Sequence, residues 1–92
     1  LLMNPSQRMV YSAGNGEVEV YEVRIPEEWN GRMLAELMKP LNDCIPVALS
    51  RAGRSSLPDL NATLQTGDLL NVSSTFEGIG ALTGRLSKKA EA

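Results

Sequence analysis

Residues 47–70 read VALSRAGRSSLPDLNATLQTGDLL, two apolar strands separated by turns. The first strand ends at Arg51 and is followed by a turn at Gly53. The second strand follows a turn at Gly67-Asp68. Glycine adopts positive φ at little cost, and aspartate bonds to nearby backbone, so both residue types favour turns. We therefore predict that Gly53, Gly67 and Asp68 are structural turn residues between strands.

The sequence on either side of this stretch predicts an α+β domain. Runs of Val, Ile and aromatic residues predict strands, whereas apolar residues three and four apart predict helices. We expect four to five mostly antiparallel strands with two helices. The predicted strands cover 17–25, 44–51, 55–57 and 69–74, and the predicted helices cover 33–41 and 76–86.

The first predicted strand carries apolar residues on both of its faces. Val18 and Val20 lie on one face, whereas Tyr21, Val23 and Ile25 lie on the other. A β-bulge near Val20, or different neighbours at the two ends of the strand, would account for this change of phase.

The domain is predicted to cover residues 17–87. Residues 1–16, with a Gly-Asn-Gly turn signal at their end, are predicted to be a linker or edge segment from the preceding part of a longer protein. Residues 88–92 form a polar tail.

Composition narrows the function classes. Of the 92 residues, 9 are basic and 11 acidic, so the formal net charge of −2 does not favour a nucleic-acid partner. The absence of His removes the commonest general base and metal ligand, which argues against an enzyme and against a metal site. The single cysteine, Cys44, lies in an apolar stretch and is predicted to be a buried hydrophobe in a reducing cytosol.

The predicted hairpin around Gly53 carries the candidate ligand chemistry. Arg51 and Arg54 flank the turn, with Ser50, Ser55 and Ser56 beside them. Guanidinium groups next to hydroxyls can bind a phosphate or carboxylate, so we predict Arg51, Arg54, Ser50 and Ser55 as ligand contacts. The alternative is a solvated hairpin tip in which Arg51 pairs with an acidic neighbour.

Other motifs are predicted to be structural. Residues 78–84 carry glycines spaced GxGxxxG, which departs from the GxGxxG dinucleotide fingerprint and favours close helix packing. Glu27 and Glu28, or Asp59 and Asp68, could pair for acid-base chemistry or hold a hard cation. Helix-start and turn positions explain them more simply.

The order of these motifs resembles the C-terminal regulatory domain of TrkA-type potassium-transport proteins, called TrkA-C or RCK-C. In that family a strand ending in Arg is followed by a Gly turn, a Pro, a Thr-Leu pair and a Gly-Asp turn, as at Arg51, Gly53, Pro58, Thr63-Leu64 and Gly67-Asp68. Residues 25–37 and the helix of residues 76–86 also resemble the family, so the likeness spans most of the chain.

The resemblance implies a cytoplasmic ligand-sensing regulatory domain that acts through a homodimer. Its partner would be a membrane-embedded potassium or other monovalent-cation channel or transporter subunit, which places it at the inner face of the membrane through the parent protein. A small anionic ligand or nucleotide would regulate transport without catalysis. The resemblance implies no cofactor in this fragment, whereas NAD or ATP would bind a preceding domain of the parent.

Two positions depart from relatives that bind cyclic di-AMP. Those relatives use an Arg near the end of the first helix and an Asn at the start of the next strand, where this chain has Lys39 and Ile45. Lysine lacks the planar fork and isoleucine offers no hydrogen bond, which argues against that ligand here. Two alternatives stay open: a purely structural dimerisation domain, and a metabolite-sensing module attached to a transcription regulator or anion transporter.

Overall fold

The computed structural model describes residues 7–13 and 17–87. Within these ranges the chain forms five strands, two α-helices and one 3-10 turn, Glu27–Trp29, and this α+β content confirms the predicted fold class. The strands are β1 Gln7–Ala13, β2 Val18–Arg24, β3 Cys44–Arg51, β4 Arg54–Ser56 and β5 Leu69–Ser74. The helices are α1 Leu34–Met38 and α2 Phe76–Ser87. The predicted tail, residues 88–92, lies outside the described residues.

The five strands form one sheet in the order β1-β2-β5-β3-β4, with every neighbouring pair antiparallel. The last strand, β5, lies between β2 and β3, which are therefore parallel to each other. The connection from β2 to β3 carries α1, as parallel strands require a long crossover. The hairpin of β3 and β4 closes one end of the sheet, and β1 is the opposite edge strand.

The hydrophobic core lies between one face of the sheet and the two helices. Alternate residues of the inner strands are fully or almost fully buried on this face, including Val23 of β2 and Leu70 and Val72 of β5. Helix α2 contributes Ile79, Leu82 and Leu86, which fall on one stripe as the helical period requires. The opposite face of the sheet carries no described helix.

The change of apolar phase in β2 reflects burial of one face and exposure of the other. Tyr21 and Val23 point to the core and are buried, whereas Val18 on the opposite face is exposed. The irregularity in register lies in β1, between Met9 and Tyr11, opposite Tyr21 and Val20 of β2. The strand β2 itself pairs with β5 in unbroken register.

The short helix α1 is capped by backbone from the middle of the quoted stretch. The amides of Leu34 and Ala35 donate to the carbonyl oxygens of Ala62 and Leu60 at 2.9 and 2.8 Å. The first amides of a helix have no partner inside it, so these bonds replace a side-chain cap. The chain segment of residues 60–64 therefore holds α1 on the sheet, and the buried Leu64 anchors that segment in the core.

Candidate ligand site at the β3–β4 hairpin

A two-residue turn joins β3 to β4 and sets Arg51 opposite Arg54. These two arginines are partners in the strand register and flank Ala52 and Gly53. Ala52 has φ 54° and Gly53 has φ 78°, the positive values at both central residues that a type I′ hairpin turn uses. The turn therefore holds two guanidinium-bearing residues at directly facing positions of the sheet.

Arg51 is held in place by the second turn of the quoted stretch. Its Nε donates to Asp68 Oδ1 at 2.9 Å, and its Nη2 donates to Asp68 Oδ2 at 2.7 Å. Nη2 also donates to the carbonyl oxygen of Thr63 at 2.9 Å. This two-pronged pair joins the hairpin to the Gly67-Asp68 turn, so most of the Arg51 guanidinium stabilises the fold.

Asp68 is the buried partner of this ion pair, with only 2% of its side chain exposed. Burial raises the pKa of Asp68, but hydrogen bonds from Arg51 and from the backbone amide of Gln65 outweigh it and hold the pKa below its usual value. The Gln65 amide lies 2.9 Å from Asp68 Oδ2. The hydrogen bond to Asp68 raises the pKa of Arg51, so both partners stay charged near neutral pH.

The Gly67-Asp68 turn also connects to the end of β2. The amide of Ile25 donates to the carbonyl oxygen of Asp68, and the amide of Gly67 donates to the carbonyl oxygen of Ile25, both at 2.8 Å. Gly67 has φ 88°, in the left-handed region that favours glycine. The turn residues predicted from the sequence thus lie where the backbone geometry uses them.

An open groove of about 580 Å³ runs along the hairpin. Its lining combines the charged side chains with small and apolar ones: Leu49, Arg51, Ala52, Arg54, Ser55, Ser56 and Ala62. Among the described residues, neither the guanidinium group of Arg54 nor the Nη1 group of Arg51 has a hydrogen-bond partner. The groove therefore presents unpaired cationic donors beside an apolar wall formed by Leu49 and Ala62.

The structure places the predicted serines differently from one another. Ser55 lines the groove with Arg51 and Arg54, whereas Ser50 is not part of its lining. Ser50 Oγ and Ser55 Oγ lie 2.6 Å apart and share a hydrogen bond. Ser56, which the sequence also places beside the two arginines, lines the groove, and its hydroxyl donates a long bond to the carbonyl oxygen of Leu49.

A second, smaller depression of about 240 Å³ lies between α2 and the loop before β3. It is lined by the carboxylate-bearing residues Asp43 and Glu77, together with Pro40, Leu41, Asn42, Gly78 and Ala81. Lys39 and Ile45 do not line it. Its acidic residues would repel a phosphate-bearing ligand.

The other predicted candidates stand apart from the groove. Glu27 and Glu28 occupy the first turn of the 3-10 segment, and Asp59 Oδ1 accepts the amide of Asn61 at 2.9 Å. Residues 7–13 and 17–87 bring together no group of three acidic, Cys or His residues that could hold a metal ion. Cys44 is buried, and burial raises the pKa of its thiol despite a hydrogen bond with Ser74.

A second set of long-range contacts, around Trp29, was not predicted from the sequence. Trp29 is buried, and its Nε1 donates to the carbonyl oxygen of Arg85 at 3.2 Å. The guanidinium groups of Arg32 and Arg85 lie 3.8 and 5.3 Å from the Trp29 ring centre. Arg85 also donates to the carbonyl oxygens of Leu37 and Glu36 at 3.1 and 3.0 Å, which caps the end of α1. The lone Trp was the only signal for this contact.

No family model matches the chain, and no curated protein matches it either. No helix of the described residues is long and apolar enough to cross a membrane.

Proposed function

We propose that this chain is a cytoplasmic ligand-sensing regulatory domain of a potassium or other monovalent-cation transport protein, and that it acts through a homodimer. The proposal rests on the resemblance to the TrkA-C family together with one structural observation. That observation is the interlock of Arg51, Thr63 and Asp68, three members of the motif that carries the resemblance.

The interlock supports the proposal because it gives the residues of the motif one shared structural role. Arg51 and Asp68 are 17 positions apart, yet they form a bidentate ion pair that joins the hairpin to the turn before β5. The segment between them caps α1 through backbone bonds. Residues that resemble the family by spacing thus work as one unit that positions the hairpin groove.

The open face of the sheet supplies a surface for the second copy. Val20, Ser73 and Ile45 form one row across β2, β5 and β3 on the face without a described helix. Ile45 is 66% exposed and Val18 is 40% exposed. Beside this row, the side-chain oxygen of Asn71 is buried without a hydrogen-bond partner among the described residues. Covering this face with a second copy would bury the apolar side chains of Val18 and Ile45.

Sedimentation equilibrium at micromolar concentration tests the dimer. We expect a mass near twice that of the chain, and we expect Ile45→Glu to shift the species towards the monomer because it places a charge on the covered face. Leu57→Glu is the matched control, since Leu57 is 87% exposed outside the strands. A wild-type chain that stays monomeric across this range contradicts the dimer.

A purely structural dimerisation domain is the second candidate, favoured by the fact that Asp68 and most of Arg51 are committed to the interlock. A thermal-shift panel of nucleotides, cyclic dinucleotides, small anions and monovalent cations separates the two. A ligand present at about 100 times its Kd stabilises the folded state by about 2.7 kcal/mol, which raises the melting temperature measurably. A dimer that no member of the panel stabilises points to the assembly role alone.

A further inference from the structure

The β3–β4 hairpin contains two features that oppose its own stability. Arg51 and Arg54 are directly opposite partners in the register, and like charges at such positions repel each other. Asp68 neutralises only Arg51, because the structure gives Arg54 no acidic partner among the described residues. The tip of the sheet therefore carries an excess positive charge on a chain whose net charge is −2.

The turn between these arginines is also strained. Ala52 has φ 54°, and a left-handed conformation is uncommon for alanine, whereas Gly and Asn adopt it readily. Glycine or asparagine at position 52 would adopt the same positive φ with less strain. The hairpin turn therefore does not require alanine at this position. Departures from local preference that gather at one place mark a site whose geometry serves function.

We propose that this hairpin binds an organic anion: a phosphate or carboxylate group held between Arg51 and Arg54, with an apolar body lying against Leu49 and Ala62. The anion relieves the repulsion between the two guanidinium groups. The hydrogen bonds to Asp68 fix the orientation of Arg51, so its free Nη1 group is already positioned to bind an anion in the groove. The exposed side chain of Arg54 then contacts the ligand from the opposite strand. The groove volume of about 580 Å³ suits a small organic molecule.

Phenyl phosphate is the probe, because it combines a phosphate group with an apolar ring. The test follows the backbone amide signals of the whole chain, with residues 49–56 and Ala62 as the signals of the site, and the side-chain Nε signals of both arginines during NMR titrations. Inorganic phosphate lacks the ring, and benzyl alcohol lacks the charge. We expect phenyl phosphate to bind more tightly than either, with the largest shifts on Arg51, Arg54 and Ala62.

Arg54→Gln separates the site from general charge effects. We expect this variant to bind phenyl phosphate about tenfold more weakly or worse, since it removes one charge-assisted hydrogen bond. Lys39→Gln is the matched control because it removes one exposed positive charge at the end of α1, and we expect unchanged affinity. Equal losses in the two variants, or shifts of the same size across the whole surface, overturn the proposal. So does a wild-type chain that binds no phenyl phosphate.

Ala52→Gly gives a second readout that does not depend on loss of folding. Glycine relieves the strain at positive φ, so we expect a higher urea midpoint and retained binding of phenyl phosphate. A lower midpoint would show that Ala52 is not strained and would contradict this part of the argument.

The regulatory meaning of this site rests on the proposed function, but the two can fail separately. If the hairpin binds the probe and Arg54→Gln leaves ion transport by the parent protein unchanged, the binding site stands and the regulatory function fails. If the probe does not bind while another ligand shifts the melting temperature of the dimer, the site proposed here fails and the regulatory function stands.

Discussion

Gly78 in α2 is the point where the helix packs most closely on the rest of the chain. A Cβ atom at this position would overlap the carbonyl oxygen of Asp43 and Ser74 Oγ, and it would lie 3.0 Å from the carbonyl carbon of Asp43. Two of these three atoms belong to the backbone, so they cannot rotate away. Gly80 and Gly84 of the same helix have no atom within 4 Å of such a Cβ.

These differences predict opposite effects for one substitution at three positions. Alanine stabilises a helix by about 1 kcal/mol relative to glycine, so Gly80→Ala and Gly84→Ala should each stabilise the domain by about that amount. At Gly78 the same gain is opposed by overpacking, which costs about 1 to 3 kcal/mol, or more where backbone must move. We expect Gly78→Ala to destabilise the domain by about 1 to 2 kcal/mol and to lower its melting temperature by about 4 to 16 °C.

Urea unfolding followed by tryptophan fluorescence measures all three variants. Trp29 is the single tryptophan of the chain and is 3% exposed, so its emission should change on unfolding. Equal slopes of free energy against urea across the variants would show that the midpoints report stability. If Gly78→Ala were as stable as Gly80→Ala, the close packing of α2 against the loop before β3 would be refuted.

Three further predictions concern long-range contacts and the turn beside them, through substitutions of Asp68, Gly67 and Arg85. Asp68→Asn should destabilise the domain by about 2 kcal/mol, because it removes the charge that pairs with Arg51. The lowered pKa of Asp68 stabilises the fold above about pH 4 and ceases to do so as the pH falls through the folded value, so acid titration of stability should be flatter in Asp68→Asn than in the wild type. Gly67→Val should lower the free energy of unfolding, measured in urea, by about 1 to 3 kcal/mol, because φ 88° is strained for a β-branched residue. A loss no larger than that from placing Val at an exposed position with ordinary φ would contradict this. Arg85→Met should lower the urea midpoint and alter Trp29 emission, since two carbonyl groups at the end of α1 lose their donor.

The local elements could be predicted from sequence because their causes are local. The alternating apolar residues before Arg51 mark β3, whereas the first helix, predicted over 33–41, ends at Met38 because Pro40 cannot continue it. Thr75 caps α2 as its residue type suggests, with its Oγ1 accepting the amide of Gly78 at 3.0 Å. Each of these signals acts within a few positions of its effect.

The contacts that complete the site act over long separations and could not be located in this way. An acidic partner for Arg51 is one expectation from the sequence, but its identification as Asp68 requires knowing that β5 lies between β2 and β3. Trp29 and Arg85 are 56 positions apart, and their contact depends on how α2 packs beside α1. The shift in register of β1 likewise depends on its pairing with β2, which the sequence alone does not predict.

The proposed regulatory function is tested most directly by potassium uptake in cells that produce the proposed parent transport protein. Gly78→Val should disrupt this domain, whereas Gly80→Ala should leave it folded, so the two variants separate the domain's contribution from effects of mutation as such. With rubidium as tracer and uptake expressed per amount of parent protein, we predict altered uptake for Gly78→Val and wild-type uptake for Gly80→Ala. Identical uptake in all three strains, with the domain shown to be unfolded in Gly78→Val, would contradict a role in cation transport.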